Sequence, residues 1–287
     1  MQSVGVIIST YNNPRWLEKT LWGYLNQTYP DFELIIADDG SGKETNELID
    51  RYQKAYFPAL KHVWHEDRGF RKTRILNQAV LSATSEYLIF TDQDCIPRKD
   101  FIETHLRYAE KGYILSGGYC KLPMQISLDI EKEDVDSHRI FNLKELKKRG
   151  LKNNLKNTKL YSSPLFSSFM NFITPAKATW NGCNSSGWRE DIMVVNGFNE
   201  DMHYGGEDRE FGERLFNMGI QSKQIRYSAI CLHLDHARPY KRPELTEQNR
   251  LIRKEVRKNK TIRTPHGIQD YTMNFHERPL LNEKSGF

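Results

Sequence analysis

The sequence lacks a hydrophobic run long enough to cross a membrane. No stretch of its 287 residues approaches the roughly 20 consecutive apolar residues of a spanning helix. It also lacks a basic and then apolar N-terminal signal, because the first residues lead directly into the strand-like segment VGVIIST. These two absences predict a cytoplasmic protein.

Cysteine is scarce, and no two cysteines form a Cys-x-x-Cys pair. The four thiols lie far apart in the chain, at Cys95, Cys120, Cys183 and Cys231. This spacing argues against a structural zinc site and against a disulfide framework. We expect reduced, mostly buried thiols.

The net positive charge is small, and the positive residues are concentrated towards the C-terminal end of the sequence. A formal charge of +5, with 38% hydrophobic and 28% charged residues, describes a folded chain of about one compact unit. Residues 241–260 read KRPELTEQNRLIRKEVRKNK, which predicts a basic helix. Such a helix suits the anionic inner face of the plasma membrane or a phosphate-bearing acceptor, and a solvated surface is the alternative. Nucleic acid is disfavoured as a partner because aromatic residues are not interleaved with these cations.

Strand and helix patterns alternate through the first half of the sequence. Strand-like segments occupy residues 4–10, 32–40, 61–66 and 86–94, and helical spacing of apolar residues fills the intervals. This order predicts an α/β fold with a mainly parallel central sheet flanked by helices. Ligands of such sheets bind beyond the carboxyl ends of the strands.

Acidic residues follow the fourth predicted strand, and histidines follow the last one. Asp92 and Asp94 are two positions apart, so both carboxylates can face one hard cation, although a turn also collects aspartates. His233 and His236 end the segment IRYSAICLHLDH and could complete the site. Carboxylate and imidazole ligands favour Mn²⁺ over Ca²⁺, and the pattern leaves open which histidine faces inward.

Two further segments can bind a nucleotide. A carboxylate of ADDGS can accept a hydrogen bond from a ring N–H while Tyr11 of STYN packs beside the base, and the alternative is a simple turn. The segment RGFRKTR supplies four cations that can neutralise a diphosphate or form a solvated patch. These cations are Arg68, Arg71, Lys72 and Arg74.

Paired glycines deliver two acids to a predicted helix start in the segment GGEDREFGERL. Gly205 and Gly206 precede Glu207 and Asp208. One interpretation is helix capping. The other is a carboxylate at a cleft edge, where a substrate hydroxyl approaches backbone that carries no side chain.

Together these segments resemble family 2 glycosyltransferases with the GT-A fold. VIISTYNNPRWLEKTLWGYLNQTYPDFELIIADDGS and FTDQD resemble the nucleotide half of that family. WNGCNSSGWREDIMVVNGFNEDMHYGGEDREFGERL resembles the acceptor half of β-1,4-galactosyltransferases and of bacterial polymerases that make chondroitin-like chains. The resemblance covers most of residues 4–239.

The resemblance implies a domain division and a set of site residues. The GT-A domain would occupy residues 1–240, as a nucleotide-sugar half (1–120), a variable insert (124–171) and an acceptor half (172–240), followed by a basic helical extension (241–287). Asp94 and His236 would bind Mn²⁺ or Mg²⁺, and His233 falls where the galactosyltransferases have a thioether ligand. The residues implied at the nucleotide are Thr10, Tyr11, Asp39, Asp92 and either Arg71 or Arg74.

The resemblance also implies an inverting reaction. Asp208 would be the catalytic base and Glu207 would orient sugar hydroxyls, with Gly206 allowing close approach of the acceptor. Stacking on the acceptor would fall to Tyr204, Trp180 or Trp188. The donor would be a UDP-hexose, with galactose or N-acetylgalactosamine favoured and glucose or N-acetylglucosamine left open. The acceptor would be a saccharide or lipid-linked saccharide.

Two other classes of protein compete with this prediction. A non-catalytic sugar-binding module would be expected to lose metal or base positions, yet Asp94, Asp208 and His236 are all present. A nucleotidyltransferase needs a Gly-rich, Arg-bearing loop after the first strand, and STYNNP is not one.

Overall fold

A seven-stranded sheet forms the centre of the computed structural model, which describes residues 3–161, 163–175, 178–237 and 242–269. Its strands are β1 (Val4–Thr10), β2 (Glu33–Asp38), β3 (Lys61–Trp64), β4 (Tyr87–Asp92), β6 (Tyr113–Ser116), β8 (Ser185–Trp188) and β9 (Gln221–Gln224). They lie in the order β3-β2-β1-β4-β8-β6-β9, and only β8 is antiparallel to its neighbours. The predicted mainly parallel α/β fold is confirmed.

Three short strands form a second sheet beside the first. They are β5 (Cys95–Pro97), β7 (Gly118–Lys121) and β10 (Ile230–His233), in the order β5-β10-β7. β10 runs antiparallel to β5, and the register places His233 opposite Cys95. His233, which lies far from β4 in the sequence, is therefore brought next to the end of that strand.

Eleven α-helices are assigned within the described residues. They are α1 (Pro14–Leu25), α2 (Lys43–Ala55), α3 (Lys72–Ser82), α4 (Phe101–Tyr108), α5 (Met124–Asp129), α6 (Lys132–Asp136), α7 (Leu143–Lys148), α8 (Pro164–Ile173), α9 (Arg189–Val194), α10 (Glu207–Asn217) and α11 (Pro243–Asn259).

Helices cover both faces of the central sheet, which explains why its strands are apolar without alternation. In β1, Val6 and Ile8 join a core that includes Leu17 of α1. Ile7 joins a second core that includes Ile75 of α3. A strand buried on both faces leaves only its end free for polar chemistry.

The segment predicted as an insert contains α5 to α8 and has a core of its own, built on the small sheet and α1. The Lys19 ammonium of α1 ties this segment down by donating to the carbonyl oxygens of Ser127, Leu128 and Ile130 at 2.7 to 2.9 Å. Burial lowers the pKa of Lys19 to about 8.

The described part of the predicted C-terminal extension packs on the rest of the protein. Arg253 and Arg257 of α11 bind the Glu213 carboxylate of α10 at 2.6 and 3.0 Å, and Ile268 is buried in the second core. Lys241 and residues 270–287 lie outside the described residues. The division into units at 120, 171 and 240 stays a prediction. No helix in the described ranges combines the length and apolar character needed to span a bilayer.

Candidate active site

The end of β4 is fixed to the end of β1 by side-chain hydrogen bonds. Asp92 Oδ1 accepts from Ser9 Oγ at 2.6 Å. Gln93 Oε1 accepts from the Thr10 hydroxyl and from the Tyr11 amide, and Gln93 Nε2 donates to the Tyr11 carbonyl. The turn that carries both aspartates is thereby locked at the carboxyl edge of the sheet.

Asp94 lies against both predicted histidines. Its Oδ2 is 2.9 Å from His236 Nε2 and 3.8 Å from His233 Nδ1, and the two imidazole rings stack 5.8 Å apart. The small sheet produces this contact because His233 pairs with Cys95 and the Leu234 amide donates to the Asp94 carbonyl. Asp94 and His236 are therefore in contact although they lie far apart in the sequence.

The chemistry of these groups fits a divalent cation. His236 Nδ1 is 2.8 Å from the Ala237 carbonyl oxygen, which can only accept, so Nδ1 donates and Nε2 is the nitrogen that faces the Asp94 carboxylate. An imidazole nitrogen and a carboxylate oxygen 2.9 Å apart need a proton or a metal ion between them. Burial would raise the pKa of Asp94, but the hydrogen bond from His236 and the charges of His233 and His236 lower it below its ordinary value.

Asp208 lies in the first turn of α10, which follows two glycines in the left-handed region, with φ of +107° at Gly205 and +104° at Gly206. Residues with a Cβ rarely adopt such angles, which explains the glycine pair. Asp208 Oδ2 accepts from the Gly182 amide at 3.0 Å, whereas its buried Oδ1 has no hydrogen-bond partner among the described residues. Because its partner is an amide of another loop, capping does not account for Asp208.

The first two residues of α10, Glu207 and Asp208, are acids with raised pKa values. Burial is the main cause at Asp208, with the Lys72 charge opposing it and the Asp92 charge reinforcing it. At Glu207, burial and then the charge of Asp208 raise the pKa to about 7. Glu207 Oε2 accepts from the Gly205 amide at 2.7 Å, so this carboxylate also stabilises the glycine turn.

Lys72 links the acid of β4 to the acids of α10, although sequence reasoning placed it only within a basic cluster. Its ammonium donates to Asp92 Oδ1 at 2.6 Å. Burial would lower the pKa of Lys72, but the charges of Asp92, Asp208 and Glu207 raise it well above its ordinary value. The only sequence signal was its position at the start of a helix after RGFR.

The predicted nucleotide residues gather at the ends of β1 and β2. Asp39 is buried, and its Oδ1 and Oδ2 contact His65 Nε2 at 2.7 Å and the Arg71 amide at 3.0 Å. Tyr11 is 43% exposed, and its hydroxyl donates a 2.8 Å hydrogen bond to Asp67, while its contact with a base stays a prediction. His65 was not predicted, although it directly follows β3 at the end of a predicted strand.

The two arginines differ in position. The Arg71 guanidinium donates to the carbonyl oxygen of Glu66, and Arg74 is half-buried on α3. The sequence left open which of them approaches a diphosphate, and this point stays a prediction.

Two of the predicted acceptor residues are wrong. Trp180 is 1% exposed and packs edge-on against Phe90 and Phe211, so no sugar can stack on its ring. Trp188 pairs with Tyr87, the first residue of β4, and therefore lies at the opposite edge of the sheet. Both tryptophans are core residues.

Tyr204 and Gly206 remain beside the acids as predicted acceptor residues. Tyr204 is half-buried and meets Phe70 edge-on, with ring centroids 5.9 Å apart. Gly182 is a further residue that the sequence analysis missed. A Cβ at Gly182 would stand 2.8 Å from Asp208 Oδ2, so only glycine lets its loop approach the carboxylate.

Comparison with known proteins gives two adjoining family matches. Residues 5–163 match the model for glycosyl transferase family 2, and residues 166–237 match the model described as the N-terminal domain of galactosyltransferase. The chain is 26% identical to a chondroitin synthase of Pasteurella multocida over 75% of its length, and 24% identical to one of Escherichia coli over 81%. It spans only 23% and 35% of those two relatives.

Solved structures share the fold at low sequence identity. A mannosyltransferase from Pyrobaculum calidifontis, in complex with GDP-Man and Mn²⁺, superposes with a TM-score of 0.55 at 21% identity, over 83% of this chain and 58% of that one. S. aureus TarS in complex with UDP-GlcNAc gives a TM-score of 0.61 at 16% identity, over 90% and 69%. The first family match covers more than half of the sequence, and the neighbours have the GT-A fold. The chain therefore belongs to glycosyl transferase family 2.

Proposed function

We propose that the chain transfers a hexose from a UDP-sugar to a hydroxyl of a saccharide or lipid-linked saccharide acceptor, in the synthesis of a bacterial surface polysaccharide. The reaction would be metal-dependent and would invert the anomeric centre. Galactose and N-acetylgalactosamine are favoured as the sugar because residues 166–237 match a galactosyltransferase domain. The two chondroitin synthases among the relatives support a saccharide acceptor.

The observation that carries this proposal is the meeting of two kinds of acid at one edge of the sheet. Asp94 lies against His236, and Asp208, in the first turn of α10, has one buried oxygen without a partner in the described part of the chain. Lys72 relates the two groups because it binds Asp92, two residues before Asp94, and its charge acts on Asp208. A sugar-binding module has no need of a buried, unpartnered carboxylate oxygen.

In the proposed reaction, Asp208 Oδ1 accepts the proton of the acceptor hydroxyl as that oxygen attacks the anomeric carbon. The bond from the anomeric carbon to the diphosphate breaks in the same step, and UDP leaves with the electron pair. Mn²⁺ or Mg²⁺ held by Asp94 and His236, with His233 nearby, would stabilise the negative charge on the leaving diphosphate. Asp39 and Tyr11 would hold the uracil ring, and Asp92 would lie near the ribose.

A donor panel tests the proposal. The purified chain is incubated with Mn²⁺ and each of several UDP-sugars, and UDP release is followed with and without EDTA. We expect one donor, UDP-galactose or UDP-N-acetylgalactosamine first, to show hydrolysis that EDTA abolishes. If no donor is either bound or turned over, the proposal is wrong. If EDTA leaves the turnover unchanged, the reaction does not depend on a metal ion, and that part of the proposal is wrong.

A further inference from the structure

The outward face of α8 is apolar. The helix reads PLFSSFMNFI, and four of its apolar side chains are solvent-exposed at helical spacing. Leu165 is 85% exposed, Phe169 59%, Phe172 90% and Ile173 46%. A helix normally turns such a face to the core, so a contiguous exposed patch indicates a binding surface.

Hydrogen bonds on the opposite side of α8 fix this orientation. The Asn171 side chain donates to Ser228 Oγ and accepts from the Tyr227 amide, both at 2.9 Å. Gln224 Nε2 donates to the carbonyl oxygens of Asn171 and Thr174 at 2.7 and 2.8 Å. The helix therefore cannot roll its apolar face inward without breaking four hydrogen bonds.

These contacts also place α8 at the edge of the sheet that carries the site. Gln224 ends β9, and the pairings β4-β8-β6-β9 make β9 parallel to β4. Both strands therefore end at the same edge, three strand spacings apart, on the order of 14 Å. A surface docked on α8 would lie on the active-site side of the protein.

The segment leading into α8 is strongly basic. Residues 144–159 contain seven lysines and arginines against one glutamate. Leu155, in the same segment, is 87% exposed. The exposed lysines are Lys144, Lys147, Lys148, Lys152 and Lys156. Exposed apolar residues joined to a basic stretch are typical of segments that lie on anionic membranes.

We propose that the apolar face of α8, together with the lysines of residues 144–159, docks on the surface of an anionic lipid bilayer. A second copy of the chain is a poorer occupant, because a two-fold interface on this face would bring two basic segments together. The basic sequence of residues 241–260 suggested a membrane contact there, with a phosphate-bearing acceptor or a solvated surface as alternatives. In α11, however, Arg253 and Arg257 bind Glu213 and Asn249 is buried against the 203–205 backbone, so that helix holds the protein together.

Co-sedimentation of the full chain with lipid vesicles tests this proposal. The vesicles are phosphatidylcholine alone or with about a third phosphatidylglycerol, at low and high salt. We expect binding to the anionic vesicles that weakens with salt. Phe169→Ser combined with Phe172→Ser should lower the partition coefficient by about tenfold or more, because two rings leave the interface. Lys152→Glu combined with Lys156→Glu should also lower it.

The matched control changes two exposed lysines of α11, Lys254→Glu and Lys258→Glu, and should bind as the unmodified chain does. All six substituted side chains lie outside the proposed catalytic machinery, so UDP release should stay unchanged. Absence of binding by the unmodified chain overturns the proposal, as does an equal loss in the α11 control. A dimer that the phenylalanine changes dissociate, with vesicle binding intact, would assign the surface to a second copy.

Discussion

The two halves of the candidate site are held by different means. On the side of the proposed metal site, strand register positions the candidate ligands, since β10 pairs with β5 and brings His233 and His236 to Asp94. On the base side, a loop with two left-handed glycines positions Asp208, and the loop is braced from outside the sheet. The pairing of strands resists single substitutions, whereas the glycine loop depends on a few side chains.

Asn249 of α11 is the main brace of that loop. It is fully buried, donates to the carbonyl oxygens of His203 and Gly205 at 2.6 and 3.1 Å, and accepts from the His203 amide at 3.2 Å. The side chain of Arg253 lies against Gly206, 3.2 Å from where a Cβ would be. The base side of the site therefore depends on a helix that follows both family matches.

Asp208→Asn should have the largest effect, and it should change the function of only one half of the site. The amide cannot accept the acceptor proton, so kcat should fall by about 10² to 10⁴-fold. Mn²⁺ and UDP affinities, measured by calorimetry, should change little because the metal side is intact. Asp201→Asn is the control, since Asp201 is exposed on the same loop. An unchanged kcat in Asp208→Asn would remove that residue from the reaction.

His236→Ala should disrupt the proposed metal site and leave the region around Asp208 intact. Loss of the imidazole leaves Asp94 with one neighbouring histidine at 3.8 Å, so Mn²⁺ affinity should fall by about 10 to 100-fold or more. Activity should recover in part at high Mn²⁺ concentration, which Asp208→Asn should not show. His266→Ala, at an exposed histidine far along the chain, is the control. Equal Mn²⁺ affinity in the two variants would contradict the proposed ligand.

Asn249→Ala tests whether α11 positions the base. Three backbone groups lose their partner, which should cost about 1 to 3 kcal/mol of unfolding free energy. We also expect kcat to fall by about tenfold, while KM for the donor and Mn²⁺ affinity stay unchanged. The control is Asn259→Ala at the exposed end of the same helix. A loss of stability with normal kcat would show that the brace is structural only.

The sequence predicted the parts of this site that depend on repeating patterns. Acids at strand ends, such as Asp39 and Asp92, follow from the alternation of strand and helix, because parallel strands end at one edge. The position of two histidines after the last strand suggested that they could complete a site at Asp94, and only the resemblance singled out His236. Lys72 was undervalued because its partners on β4 and α10 are set only by packing.

Burial is the property that the sequence analysis judged least well. Trp180 and Trp188 were assigned to a sugar because aromatic rings stack on sugars, yet both rings fill the core. The opposite error concerns α8, whose exposed Phe169 and Phe172 lie on either side of the predicted boundary between the insert and the acceptor half and were given no role. One sequence without packing information does not separate apolar residues that fill the core from those that stay on the surface.

The smallest expected effect is a pH-dependent stability difference on the base side. The folded-state pKa of Glu207 is raised to about 7, so the protein loses the corresponding stability as pH rises from the unfolded pKa of about 4.3 through 7. Glu207→Gln carries no charge at any pH and keeps an oxygen for the Gly205 amide. We therefore expect this variant to gain on the order of 1 to 3 kcal/mol relative to the unmodified chain at pH 8, and little at pH 4, in urea unfolding. Glu145→Gln at an exposed site should show no such gain, and an equal Glu207→Gln difference at both pH values would contradict the raised pKa.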